Sequence, residues 1–169
     1  TLGPTLTAPT TAAGAARFTD LRITGPSGSY TIRFTAPGLT QAVSNTVTLG
    51  SGGASTIAAN SATTQNAVAG SAVASPPSVV VRDASSNPVA GVAVTFAVTA
   101  GGGTVVPAGP ATVLTNASGI ATATSWTLGT VAGTNNNTVT ASAAVPTGSP
   151  VTFTASGLVG PPASIAANS

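Results

Sequence analysis

The sequence predicts an all-β protein built from β-sandwich units in tandem, and three observations predict it. Apolar and small polar residues alternate with a period of two, as in half-buried strands. Turn residues interrupt the chain roughly every 8–12 positions, the spacing of a sandwich or barrel. Finally, Ile57-Ala58-Ala59-Asn60-Ser61 returns as Ile165-Ala166-Ala167-Asn168-Ser169, 108 positions later. Self-similarity at a fixed spacing marks a repeat array. It divides the chain into the C-terminal half of one repeat (1–50), a complete repeat (51–157), and a linker with the first strand of a following repeat (158–169).

The complete repeat is expected to hold seven strands. Ser55–Ala59 opens it, and the Val-rich run Ser78–Asp83 follows Pro76-Pro77. Val92–Thr99 places Val92, Val94, Phe96 and Val98 on one face. Thr112–Thr115 is short. Ile120–Leu128 places Ile120, Thr122, Thr124, Trp126 and Leu128 on one face. Thr138–Ala143 and Val151–Ser156 close the repeat, and a short extra strand is expected around Ala67–Val73. β-Branched Val, Thr and Ile suit a pleated sheet, and helix formers other than Ala are nearly missing. Turns are expected at Ala84-Ser85-Ser86-Asn87-Pro88, Gly101-Gly102-Gly103, Asn116-Ala117-Ser118-Gly119, Gly129–Asn136 and Pro146-Thr147-Gly148. Gly and Asn take positive φ at low cost in such places.

Residues 1–50 read as the back half of an earlier copy. Thr10 to Ala16 parallels Thr115 to Ala121, Leu21 and Ile23 fall where Trp126 and Leu128 fall, and Val47-Thr48-Leu49 parallels Val151-Thr152-Phe153. Tyr30, Ile32 and Phe34 alternate with Thr31, Arg33 and Thr35. Four strands of a seven-strand sandwich leave an apolar face open and edges unpaired. This half is therefore expected to need residues from upstream or from another chain. The joints are Gly50-Ser51-Gly52-Gly53, flexible by composition, and Gly157 to Pro162, stiffened by a Pro pair.

The ordered combination of Pro77 to Asp83, Asn87-Pro88-Val89-Ala90-Gly91-Val92-Ala93-Val94-Thr95-Phe96, Gly101-Gly102-Gly103, Thr115 to Ala121 and Val151 to Ala155 resembles the bacterial immunoglobulin-like domains of the invasin/intimin type. It covers 54–157 well and 5–50 partially. The resemblance implies an immunoglobulin-like β-sandwich from a large, repetitive bacterial surface protein. In that family most copies are stalk segments, and binding resides in a distal tip domain. This chain departs from the family in its near absence of Lys and Glu.

Composition excludes much chemistry. Charged residues make up 4% of the chain: four Arg, two Asp, and no Lys, Glu, His or Cys. A typical soluble domain carries about 25%. Hydroxyls and amides must keep the surface wet, which points to an extracellular protein, secreted or on a bacterial cell surface. Four scattered Arg do not form the dense stripe that nucleic acid requires. No apolar run approaches the roughly 20 residues of a spanning helix, so no membrane insertion is expected. The opening Thr1-Leu2-Gly3-Pro4 lacks the regions of a secretion signal, so export would rely on one upstream or already removed. A Ser–His–Asp arrangement needs a His, and zinc needs thiolates or imidazoles. Calcium needs several hard oxygens, yet Asp20 and Asp83 fall in different copies. No catalytic, cofactor-binding or metal-ligating residue is assigned, no cofactor is expected, and no enzyme activity is expected.

A few residues bear two readings. Asp83 is expected to cap a turn or pair with Arg82 or another Arg, the alternative being a ligand contact. Trp126, the single Trp, is expected in the core, the alternative being an exposed sugar-stacking ring. Tyr30 is expected in the core with its hydroxyl at the rim. Asn135-Asn136-Asn137 is expected at a loop tip, with an amide–glycan contact as the alternative. Asn116-Ala117-Ser118 and Asn136-Asn137-Thr138 match the glycosylation acceptor pattern, here taken as chance in a bacterial protein. Pro76, Pro77, Pro88, Pro107, Pro110 and Pro150 are expected to guard strand edges. Neighbouring repeats or copies of the chain itself are the expected partners, in an extracellular stalk, adhesin or filament, the last of these homopolymeric if copies of the chain assemble with one another. The alternative is a ligand-binding module, an adhesin or carbohydrate-binding domain that engages a surface glycan or host ligand. It needs a row of exposed aromatics, and most of the six aromatics here sit at core parity.

With one acidic side chain, Asp83, and no His, Glu, Lys or Cys, little in the complete repeat titrates between about pH 5 and 9. Its melting temperature is expected to stay within a few degrees across that window in a calorimetric pH series, and a larger swing would contradict this.

Overall fold

The computed structural model describes residues 1–3, 6–109 and 112–162. The echo at 165–169 and Pro110 lie outside the described residues. The fold is all-β, with no helix among the described residues. Contacts divide the chain into two units. The first is Thr1–Gly52 with Ser85–Asn87, and the second is Gly53–Ala84 with the chain from Pro88 onward.

The first unit holds six short strands: β1 (Leu2–Gly3), β2 (Arg22–Ile23), β3 (Gly28–Tyr30), β4 (Arg33–Phe34), β5 (Ala42–Val43) and β6 (Val47–Leu49). They form three antiparallel pairs, β1–β2, β3–β6 and β4–β5.

The second unit holds the other ten: β7 (Ala54–Ala59), β8 (Thr64–Val68), β9 (Ser78–Asp83), β10 (Ala93–Ala100), β11 (Thr104–Val106), β12 (Thr112–Leu114), β13 (Ile120–Thr122), β14 (Ser125–Thr127), β15 (Gly133–Ser142) and β16 (Val151–Leu158). One sheet runs β12-β10-β15-β16-β8, another β13-β9-β7, and β11 pairs with β14. Among the described residues the strand pairings are antiparallel except β8 with β16, which run parallel from Thr154 opposite Thr64 to Leu158 opposite Val68, and Thr56 forms an isolated parallel bridge with Thr147.

One core draws on both sheets. Ile57 comes from β7, Val79 and Val81 from β9, Val94 and Phe96 from β10, Trp126 from β14, Val139 and Ala141 from β15, and Phe153 and Ala155 from β16. The period-two pattern places them there. In β16, Phe153, Ala155 and Gly157 are buried while Thr152 and Leu158 face outward. Burying a Val or Phe side chain stabilises by about 1.5–3 kcal/mol, and with no Cys in the chain the unit has no disulfide to add to this core.

Two stretches depart from the alternation expected of them. Ile120–Leu128 is not one strand. The buried residues are Ala121 and Ala123, then Trp126 and Leu128, so the parity slips by one between them. At the slip the chain leaves β9 for β11: Ala123 N–H donates to Pro77 O at 2.9 Å, and Thr124 N–H donates to Val106 O at 2.7 Å. A strand that switches sheets needs such a break, because one residue of slip exchanges the two faces. The extra strand is Thr64–Val68, not Ala67–Val73. After β8 the chain turns at Gly70 (φ 80°) and crosses over, where Val73 N–H donates to Trp126 O at 2.9 Å. Pro77 guards no edge. It is fully buried beside β9, the middle strand of its sheet.

Close backbone approach fixes one end of the unit. A Cβ on Gly129 would lie 1.6 Å from Gly101 O, and one on Gly103 would lie 2.1 Å from Thr127 O. Only glycine fits where two backbones touch. Asn137, 1% exposed, stitches the same end. Its Oδ1 accepts from Gly129 N–H at 2.8 Å, and its Nδ2 donates to Asn136 Oδ1 at 2.9 Å.

Trp126→Ala is expected to lower stability by about 3–5 kcal/mol through lost burial and the cavity left behind. Gly129→Ala is expected to cost at least about 1–3 kcal/mol through overpacking. Urea titration of each variant against the parent checks both, and a Gly129→Ala variant as stable as the parent would refute the close approach.

Candidate binding face

The two units share two local geometries, in the same order. The strand pairs come first: Leu2 faces Ile23 and Val105 faces Trp126, each joining positions 21 apart (2 and 23; 105 and 126). The turn is next. Gly14 N–H donates to Thr11 O at 2.8 Å, Thr11 N–H to Ala15 O at 2.8 Å, and Ala15 N–H to Thr11 Oγ1 at 3.2 Å. At 105 positions' remove, Gly119 N–H donates to Asn116 O at 2.8 Å, Asn116 N–H to Ile120 O at 2.9 Å, and Ile120 N–H to Asn116 Oδ1 at 3.1 Å. Gly14 and Gly119 share the left-handed conformation, at φ 75° and 72°. The third pairing differs between the units: Leu49 faces Gly28 and Val47 faces Tyr30 with β4 and β5 between the two strands, whereas Phe153 faces Val139 and Val151 faces Ala141 in the directly connected β15 and β16.

Burial separates the two units. In the second, Trp126, Val139, Ala141 and Phe153 are all 0% exposed. In the first, none of the described residues from 1 to 52 is buried. The reason is what lies across from them. In the second unit the apolar residues of β10, β15 and β16 meet those of β7 and β9 from the other sheet in one cluster, whereas the six short strands of the first unit form only separate pairs.

Two openings result. A groove of about 660 Å³ is lined chiefly by Leu6, Phe18, Leu21, Ile32, Phe34 and Leu39. The Phe18 and Phe34 rings meet at 5.5 Å with a tilt of 42°. Leu6 and Leu39 are 59% and 74% exposed. Contiguous apolar surface of this kind marks an interaction site on soluble proteins. A smaller cleft of about 200 Å³ lies between β1–β2 and β3–β4, walled by Leu2, Ile23, Tyr30 and Ile32 with Thr1, Thr31 and Arg33. The Tyr30 hydroxyl donates to Pro26 O at 2.6 Å, which leaves its half-buried ring against the cleft.

The other singled-out residues offer no site. Trp126 is fully buried, so no indole face is available to a sugar. Its Nε1 is the one buried side-chain nitrogen or oxygen without a partner among the described residues. Asp83 ends β9 and is buried. Asn135-Asn136-Asn137 lies inside β15 and is not a free loop tip; the amides of Asn136 and Asn137 are engaged internally. Asn116 caps its own turn through Ser118 N–H and Ile120 N–H. Among the described residues no three of His, Cys, Asp and Glu come together as a metal site. Alternation made Tyr30, Ile32 and Phe34 visible in the sequence. Leu6, Phe18 and Leu39 carry no periodic signal, and only the fold gathers them. No known family model matches this chain, and no curated protein is detectably similar to it.

A dye that brightens on apolar surface is expected to bind the parent at the groove. Phe34→Asp should cut that fluorescence by more than half while the Trp126 emission, a reporter of the second unit, stays unchanged. Equal dye fluorescence in both proteins would refute an accessible groove.

Proposed function

We propose that the chain is a segment of a tandem array of immunoglobulin-like β-sandwiches in a bacterial stalk, adhesin or filament outside the cell, and that it performs no catalysis. The observation that carries this reading is the recurrence of one turn, with the same three hydrogen bonds and the same left-handed glycine, 105 positions apart. Turns of identical geometry at matching places in two units are the expected product of a repeated domain. The matching strand pairs, each joining positions 21 apart, support it in the same direction.

The surface chemistry also supports a mechanical role. All four Arg are exposed, and the chain contains no His, Lys, Cys or Glu, the usual acids, bases and nucleophiles. Extended strands of Thr, Ser, Ala and Val cover length at low mass. Neighbouring repeats, or further copies of the chain, are the partners of such an array. The invasin/intimin-type domains are the family this reading favours.

The test is to supply what the first unit lacks. A copy of residues 54–103 joined ahead of Thr1 is expected to complete a second sandwich. The extended protein should show a second cooperative unfolding transition, and amides within 1–50 should become protected from exchange. An added segment that stays unfolded, with exchange in 1–50 unchanged, would overturn the repeat reading.

A further inference from the structure

We propose that Asn116 is an acceptor for an N-linked saccharide, and that the saccharide shields two strand edges that the sequence leaves bare. It goes beyond the repeat reading and takes from it only that the chain is exported.

Two acceptor motifs stand in the sequence, Asn116-Ala117-Ser118 and Asn136-Asn137-Thr138. As motifs they are equal, and the fold separates them. Asn136 lies inside β15 and is half-buried. Its Nδ2 donates to Val131 O at 2.7 Å, and its Oδ1 accepts from Asn137 Nδ2 at 2.9 Å and from Gly157 N–H at 3.1 Å. The nitrogen that a sugar would join is already engaged there. Asn116, Ala117 and Ser118 are all exposed, at the turn between β12 and β13. Gly119 holds the base of that turn against β9, its O accepting from Val81 N–H at 2.8 Å. Asn116 Oδ1 accepts from Ser118 N–H at 2.9 Å and from Ile120 N–H at 3.1 Å. Its Nδ2 has no partner among the described residues, so the amide is held at its oxygen and open at its nitrogen. Asn116 is thus no pocket for a ligand but a group that an enzyme can modify.

Capping alone does not account for these residues. In the matching turn of the first unit Thr11 Oγ1 serves as the cap, accepting from Ala15 N–H at 3.2 Å, and Ala13 stands where Ser118 stands. The Ser118 hydroxyl makes no hydrogen bond among the described residues. Saccharide transfer uses both side chains: the Asn carries the sugar, and the hydroxyl two residues on completes the acceptor. In the transfer Nδ2 bonds to the anomeric carbon of a lipid-diphosphate-linked oligosaccharide. The bond from that carbon to the diphosphate oxygen breaks, the lipid diphosphate leaves with the electron pair, and Nδ2 loses one proton to solvent. Nothing is oxidised or reduced.

The position gives the saccharide a task. β12 lies at the end of one sheet and β13 at the end of another. Edges of this kind are blunted by charge or Pro in most proteins. Thr112–Leu114 and Ile120–Thr122 carry neither, and Leu114 is 61% exposed. A bulky, hydrated group on the turn that joins the two strands stands beside both edges at once.

The experiment treats the purified, folded full-length chain with a lipid-linked oligosaccharide and an oligosaccharyltransferase that glycosylates free peptides of both motifs. Peptide mapping by mass spectrometry reads the product. One saccharide per chain is expected, on Asn116, with Asn136 unmodified. Ser118→Ala and Asn116→Asp should each lose the modification completely. The Asp variant keeps the cap, so its Trp126 emission should stay as in the parent. No transfer to Asn116 of the folded chain, or transfer to Asn136, would overturn the acceptor site. Amide exchange followed by NMR tests the shield. In the unmodified chain, exchange at 112–114 and 120–122 should slow as concentration rises and the edges pair. In the glycosylated chain that slowing should be lost. Exchange independent of concentration in the unmodified chain, or equal slowing in both forms, would overturn the shielding. Both measurements use the isolated chain, so their failure leaves the repeat reading standing.

Discussion

The structure depends on one constraint: a sheet with an apolar face must have that face covered. In the second unit the constraint is met. β9 and β7 supply Val79, Val81 and Ile57, β10 supplies Val94 and Phe96, and Trp126, Val139 and Phe153 meet them in a single dry cluster. In the first unit the same kind of face is present and nothing described covers it. Phe153 is 0% exposed in that cluster, whereas Leu49 of the first unit is only partly buried.

The chain carries few charges. A domain with few ions cannot rely on salt bridges for specificity, so backbone contact and amide bonding must fix the details. Gly101 and Gly129 meet backbone to backbone. Asn137 satisfies Gly129 N–H inside the core, where an unpaired donor would cost about 1–3 kcal/mol. Thr115 does the same near the other end of β10, accepting from Val92 N–H at 2.9 Å and donating to Val89 O at 2.7 Å.

Much of the fold was legible in the sequence. β9 occupies the expected Ser78–Asp83, and β7, β10 and β16 lie within two residues of their expected limits. These strands have strong alternation or a β-branched run, and their turns carry Gly, Asn or Pro. Legibility failed where tertiary contacts overrode the local pattern. Period two in Ile120–Leu128 suggested one strand, but a crossover between sheets breaks it at Ala123-Thr124. The Asn run looked like a tip because Asn favours turns, yet burial turns Asn137 into a bracket. β11 is three residues between a Gly run and Pro107, too short to show a period. Of the open face, the alternating Tyr30, Ile32 and Phe34 could be read, but the volume they share with Phe18 and Leu39 could not.

The parallel pairing of β8 and β16 has a further implication. β8 and β16 lie side by side in the same direction through five consecutive partners, Thr64 with Thr154 to Val68 with Leu158. Strands that point the same way cannot be peeled apart one rung at a time by a pull on opposite ends of the domain. They are loaded in shear, so the rungs carry tension together. A rod assembled from such domains would resist being drawn out, with its grip set by the direction in which two strands run.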